Sequence, residues 1–592
     1  MKAKLLVTTS IEESWGLDQH IVFLGEWCKR YSRKHVWQQR SFDVCDYHWR
    51  DRKKLQVDHD YLEFLNEELL KTLSIFLNKF HGINRDVEYW RIIIGPWLLT
   101  YLPVLWDRWE ILSSIAEDDH PLETQSLIFS SNRKVANDFS EALALFDSDF
   151  WNHQIFMEII RHRDDLDIKI CKLEIEAIED INIPTYPQSR FKKSVKFALK
   201  VIDQIIEMFS PKKRKLVFYQ SYFPRSFLAK LFFRLWLIPR SEGRFNKMIS
   251  YPGSMKRDGI DKIDFNLPLD RGRNNFENFV MENILLDIPV SYLEGYSVLF
   301  KMQSQLNDAE NIFTANAHFA NELFKVWAAE QKYKGSNLII SSHGGALYPL
   351  YSVFDHQEKI SDYRIIWGLG WMKGQIRMPP NKLHSKVSTY NPSGSISIID
   401  YDGQKYSYRC TSLPMGPLSL EAYNLNKNFI KCLSEEARRH IQIRTFPLGA
   451  WEREKRYIDD FGLNIISQDS LVNTISNSRL VICTYPQTTF SEAMYSGVPT
   501  MILYDEKFWE VQPIYIELVQ LLKGSGIMHT DEILAAQHVD SIANDPMEWW
   551  NKPKTIFARK KFNELCLTIE PNPLGSWVEL FRSISKGGSN KR

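Results

Sequence analysis

Four stretches of this chain gather residue types that perform group transfer. "RLVICTYPQTTFSEAMYSGVPT" places Thr488 and Thr489 at the start of a helical pattern, with Glu492 one turn later. A helix start offers unpaired N–H groups and the positive end of the dipole, which favour an anion such as phosphate. Glu492 could accept hydrogen bonds from sugar hydroxyls, and Arg444 in "IQIRTFP" could hold a phosphate bidentately. "NLIISSHGGALY" supplies His343, whose ordinary pKa of about 6.5 suits proton transfer. Gly344 and Gly345 follow it and let backbone approach a ligand closely. "LLVTTSIEESWG" supplies Glu12 and Glu13 just after an apolar run. The combined chemistry is loss of a phosphate-bearing leaving group, with Glu13 or His343 as the base that takes the acceptor's proton. Glu12 is expected to contact substrate beside it.

Each residue also has a plainer use. Thr488 can cap a helix, Arg444 can form a structural pair, Glu492 and Glu13 can sit in solvent, and His343 can be a hydrogen-bonded cleft histidine. The combination favours a site, together with Gly497-Val498-Pro499-Thr500 leading the chain back into a sheet. No GxGxxG fingerprint or P-loop lysine is present, which argues against a dinucleotide dehydrogenase or a P-loop ATPase. The "DSD" at 147–149 falls in a helical stretch, and metal-independent chemistry with no cofactor is expected.

Strand ends and helix starts must hold these groups. Apolar bursts ending in small or polar residues recur at "KAKLLVTTS", "KLVFYQSYF" (215–223), "NLIISSHGGALY" (337–348) and "DYRIIWGLGW" (362–371). Parallel strands buried on both faces read this way. From about Tyr61 to Ile206 the pattern is mostly helical with few glycines. The first half therefore reads as an α/β domain, residues 1–376, carrying a large helical insertion at about 55–210. The stretch 377–395, rich in Pro, Ser, Asn and Gly, reads as a linker. Beyond it, "SISIID", "IQIRTFP", "LNIISQ", "LVICTY" and "PTMILY" alternate with helical runs, and Ser470 is placed to cap one of them. That alternation predicts a doubly wound parallel sheet over 396–592, closed by terminal helices. The expected fold class is α/β: two Rossmann-like domains with a cleft at the carboxyl ends of their strands.

The totals agree with a multi-domain globular chain. At 592 residues one core is too few, and 74 basic against 73 acidic side chains leave no nucleic-acid footprint. Seven scattered cysteines without a CxxC pair point to a reducing compartment, and the start at Met1 does not resemble a signal peptide. A cytoplasmic location is expected. "YWRIIIGPWLLTYLPVLWDRW" (89–109) contains Arg91, Pro96 and Pro103 and reads as buried helix instead of a membrane span. Lys212-Lys213-Arg214-Lys215 reads as a solvated loop, with attraction to an anionic inner-membrane surface as the lesser reading.

The hydroxyl–Glu turn resembles the nucleotide half of GT-B glycosyltransferases. "LVTTSIEESWG", "VFLGEWCKRY", "SSHGGALYPLYSVFDHQEKISDYRIIWGLGW", "SGIMH" and "EWWNKPKTIFARKKF" resemble, in order, a family of bacterial surface-carbohydrate (O-antigen locus) transferases. The resemblance implies a GT-B-like arrangement with the donor nucleotide against the second domain and a glycan or lipid-linked glycan acceptor against the first. The donor would be a nucleotide-sugar, CMP-sugars included. His343-Gly344 is also similar to a signature of polyol-phosphate transferases, which keeps a CDP-polyol reaction open as an alternative, beside a sugar-nucleotide epimerase. Where capsule enzymes show Arg-x-His-Pro, this chain has Arg444-Thr445-Phe446-Pro447. That departure supports a non-catalytic scaffold as the remaining reading.

Overall fold

The computed structural model describes residues 3–16, 19–115, 121–128, 134–174, 213–237, 245, 249–253, 257, 265–353, 355–383, 390–447 and 449–587. Among these residues the frame is three five-stranded sheets, each parallel throughout. The first contains β1 (Lys4–Val7), β2 (Ile21–Phe23), β3 (Phe42–Val44), β4 (Leu122–Ile128) and β5 (Ile168–Glu174), in the order β3-β2-β1-β4-β5. A two-stranded pair, β6 (Lys213–Arg214) with β8 (Asp308–Ala309), precedes the second sheet. That sheet is β7 (Val217–Tyr219), β9 (Asn311–Thr314), β10 (Asn337–Ser341), β11 (Tyr363–Ile366) and β12 (Gln375–Arg377), ordered β12-β11-β10-β9-β7. The third is β13 (Ser395–Ile399), β14 (Ile441–Arg444), β15 (Ser478–Cys483), β16 (Thr500–Leu503) and β17 (Met528–His529), ordered β14-β13-β15-β16-β17.

The parallel α/β class read from the sequence is what the chain adopts, and its N-terminal half divides into two sheets. The stretch expected as a helical insertion contributes β4 and β5 to the first of them, β4 lying directly beside β1. "LETQSLI" hides this because polar residues alternate with its buried Leu122, Thr124 and Ser126, so no apolar burst marks the strand. The remainder of that stretch, 175–210, lies outside the described residues. "LNIISQ" is not a strand: Leu463–Ile465 form a 3-10 turn, and only Ile466 bridges to Ile443 on the edge strand β14.

Helices fill the space between sheets. Arg52–His81 starts on Asp51, whose carboxylate accepts from the amides of Lys53 and Lys54, and stops at Gly82 with φ +64°. Val87–Ser113 is buried on nearly all sides, as expected for the apolar window. Pro96 and Pro103 sit inside it, and the Thr100 hydroxyl bonds the Pro96 carbonyl at 2.9 Å. No helix among the described residues is long and apolar enough to cross a membrane. The C-terminal helix Pro573–Gly587 returns from the third sheet to the second, where Trp577 and Phe581 pack on Phe313 and Phe218.

In two sheets the strand order reverses, between β1 and β4 and between β13 and β15, which opens a crevice at the carboxyl ends there. The loop 400–417 after β13 ties the units together. Lys405 reaches Asp149 at 2.7 Å, Arg108 donates to the Ser407 carbonyl, and Ser412 exchanges hydrogen bonds with Tyr351.

Candidate functional site

The carboxyl edge of the second sheet converges on His343. Tyr222, in the loop after β7, packs its ring on the imidazole at 5.6 Å and holds the left-handed backbone at φ +61°. Such a conformation is costly for a tyrosine and is characteristic of built sites. Ala315, just past β9, lies close enough for its backbone to bond the imidazole. Below His343 the floor is rigid: Arg364 donates to the Ser342 hydroxyl (3.1 Å), which also meets the Tyr348 phenol (3.0 Å), and Trp367 donates to the Ser342 carbonyl (3.1 Å).

The third sheet closes on this edge through the helix Thr488–Ser496. A Cβ built on Gly344 would fall 1.9 Å from the Thr488 hydroxyl, so only glycine allows the two chains to meet. Gly345 has φ +148°, and its carbonyl accepts from Ser491. Leu347 donates its amide to the Pro486 carbonyl at 3.2 Å, and Gln487 returns a bond to the Leu347 carbonyl at 2.9 Å. The first turn of Thr488–Ser496 is thereby aimed at the His343–Gly345 loop, carrying amides that no carbonyl of its own helix can take.

Three cations surround the imidazole, and they differ in what neutralises them. Arg364 is buried against Glu358 at 2.9 Å, and Lys382 pairs with Glu492. Arg409, from the loop 400–417, has no ion pair among the described residues, and its buried Nε has no hydrogen-bond partner. Its guanidinium lies between the rings of Phe319 (5.2 Å) and Tyr408 (4.7 Å). His343 stands open to solvent at the mouth of the site. Protein crowding around the ring lowers its pKa below the ordinary histidine value, the bond to Ala315 opposes this, and Arg364, Lys382 and Arg409 lower it further. The imidazole is therefore neutral at physiological pH, with a lone pair to offer, near a positive charge that no described residue neutralises.

The sequence-derived residues separate into groups. His343, Gly344, Gly345, Thr488 and, through Lys382, Glu492 come together at this seam. Thr489 is buried with its hydroxyl bonded to the Tyr485 phenol. Arg444 does not join them by any hydrogen bond among the described residues; its Nε donates to the Asp469 carbonyl at 3.3 Å on the sheet edge, and its charge acts on Tyr485. Glu12 forms a two-pronged pair with Arg33 at 2.6 Å, which holds its carboxyl below the usual range. Glu13 is exposed on the same turn of the first sheet, and no hydrogen bond or ion pair joins either glutamate to the His343 seam among the described residues. Arg409, Lys382 and Tyr222 were not singled out by the sequence. The one signal for Arg409 was a lone arginine among aromatics, "KYSYRC", in a stretch without periodicity.

The first sheet has its own charged knot. Asp149 of "DSD" is buried at a helix start and accepts from Ser10 (2.7 Å), Arg30 (2.9 Å), Lys405 (2.7 Å) and Tyr406 (2.7 Å). Burial alone would raise its pKa, but these donors overcome burial and hold it well below the usual carboxylate range. Its oxygens are thus committed to binding the units together.

A parallel α/β frame in which an imidazole loop meets a helix start, with a guanidinium that has no ion pair among the described residues acting on the imidazole, suits a group-transfer enzyme. A family model described as "LIC12162 family transferase" matches residues 4–581, and the chain belongs to that family of transferases. No curated protein matches the chain. Among solved structures it is similar to MurG of Acinetobacter baumannii, at 11% identity and a TM-score of 0.30, covering 63% of this chain and 100% of that one. It is also similar to WaaG, a glycosyltransferase involved in lipopolysaccharide biosynthesis, at 8% identity and a TM-score of 0.26, covering 62% of this chain and 99% of that one. Likeness of this degree says nothing about chemistry.

Proposed function

We propose that the chain is a glycosyltransferase that moves a sugar from a nucleotide-sugar to a glycan or lipid-linked glycan acceptor of a bacterial surface polysaccharide. The observation that carries this reading is His343 with its lowered pKa, under the charge of Arg409, which has no ion pair among the described residues, on a loop whose Gly344 meets the first turn of Thr488–Ser496. A diphosphate leaving group needs a cation and N–H donors where its charge grows. An acceptor hydroxyl needs a base that is unprotonated at working pH. In this scheme the acceptor oxygen gives its proton to the free nitrogen of His343 and bonds the anomeric carbon. The bond from that carbon to the phosphate oxygen breaks, and the nucleotide leaves with the electron pair, held by Arg409 and the amides near Thr488. Glu492 and Lys382, paired with each other, position the wall of the site.

A second reading, transfer of a polyol phosphate from a CDP-polyol, uses the same imidazole and cation and attacks phosphorus instead of carbon. Thermal-shift measurements with UDP-, GDP-, dTDP- and CMP-sugars and with CDP-polyols test donor binding, and product analysis separates the reactions. A new glycoside supports the first reading, a new phosphodiester the second, and an altered sugar without acceptor an epimerase. No stabilisation by any nucleotide-sugar would sink the proposal.

A further inference from the structure

The helix Arg225–Leu235 turns Phe227 and Leu231 into the core beneath the second sheet and leaves its opposite face exposed. That face carries Arg225, Lys230, Phe233 and Arg234, and Trp236 follows at φ +54°. Trp236 is 86% exposed and Phe233 74%, the two largest exposures of any large apolar side chain among the described residues. Their rings stack on each other at 6.1 Å. The helix Pro573–Gly587 lies alongside, Arg582 donating to the Arg234 carbonyl at 3.0 Å, and adds exposed Arg582 and Lys586. From Lys212 to Trp236 the sequence holds seven Lys or Arg and no Asp or Glu.

We propose that this face docks on an anionic lipid bilayer. Phe233 and Trp236 enter the boundary between headgroups and acyl chains, and the surrounding cations meet the negative headgroups. A protein-binding patch tends to exclude charge from its centre and to bury its aromatic anchors in pockets. Here two aromatic tips stand proud of the surface beside the cations Lys230, Arg234 and Arg582. The same segment forms a wall of the site, because Tyr222, three residues before the helix, packs on His343. An 11-residue helix is about 16 Å long, so one short element joins Tyr222, before its start, to the aromatic pair at its far end. This placement brings a lipid-linked acceptor to the seam, and only that last point rests on the glycosyltransferase reading.

The test is co-sedimentation of the full chain with vesicles of phosphatidylcholine alone and of phosphatidylcholine mixed with phosphatidylglycerol. The expected result is binding to the mixed vesicles, little to the neutral ones, and release by salt. Phe233→Ser/Trp236→Ser and Lys230→Glu/Arg234→Glu are each expected to weaken binding by at least about tenfold. Unchanged binding by both variants, or none by the wild type, overturns the proposal. A dimer that Trp236→Ser dissolves, in protein that ignores vesicles, overturns it too and assigns the face to a second copy. Thermal shifts with nucleotide-sugars, run on the same proteins, are expected to be unaltered by these substitutions. Vesicle binding without any donor binding would fell the donor reading and leave this one standing.

Discussion

Gly344 and Thr488 touch across the seam between the second and third sheets, so closely that a methyl group on the glycine would sit 1.9 Å from the threonine hydroxyl. The contact is backbone on one side and a short β-branched side chain on the other, so neither can yield far. Gly344→Ala is expected to push the sheets apart, costing about 1–3 kcal/mol as overpacking does, and to abolish transfer. Removing the hydroxyl should relieve part of the clash, so Gly344→Ala/Thr488→Ala will be more stable than the sum of the single changes predicts. Chemical denaturation of the four proteins measures this.

Arg409 and Arg444 should separate sharply. A charge-assisted hydrogen bond contributes about 1.5–3 kcal/mol, so Arg409→Ala is expected to weaken donor binding by about ten- to a hundredfold. Arg444→Ala, which loses a bond to a backbone carbonyl on the sheet edge, should leave donor affinity within about twofold. Calorimetric titration with the donor that gives the largest thermal shift decides between them.

His343→Gln is expected to lower kcat by about a hundredfold or more and to leave donor affinity nearly unchanged. Because the imidazole pKa is lowered, the acid limb of the wild-type rate should lie below the ordinary histidine value of about 6.5. A wild-type acid limb centred above 6.5, or one that persists in His343→Gln, would remove this histidine from the role.

His356 gives a stability prediction of defined sign. It is 6% exposed against the helix Val87–Ser113, where a Cβ on Gly95 would lie 2.7 Å from its ring. Burial, then the nearby Arg91, Lys325 and Lys359, push its pKa down to about 3. Below the unfolded value of about 6.5 the unfolded chain takes a proton that the folded chain refuses. Stability is therefore intact above pH 6.5 and falls by about 1.4 kcal/mol per pH unit beneath it. His356→Gln removes this dependence, so the gap in Tm between wild type and variant should narrow as pH falls from 7 to about 5.

The sequence made some parts of this molecule legible and hid others for physical reasons. β10 and β15 were plain because buried parallel strands require unbroken apolar runs, and Ser470 was plain because a helix start demands a side-chain acceptor, here for the Asn473 amide. β4 escaped notice because its alternating pattern looks polar until its neighbour β1 is known. His343 and Thr488 could be named because His343 follows the end of a strand and Thr488 starts the helix after one, but their contact depends on how two sheets dock, which neither local pattern encodes. Arg409 lies in an irregular loop whose course is fixed by distant partners such as Asp149, Arg108 and Tyr351. No spacing within the loop marks it out.

The chain passes between the second and third sheets twice, once between Arg377 and Ser395 and again on its way to Pro573. Two covalent crossings leave these halves fewer ways to shift against each other than one linker would, as a door on a pair of hinges differs from a bead on a string. Cutting either crossing is expected to leave Gly344 and Thr488 without a fixed register.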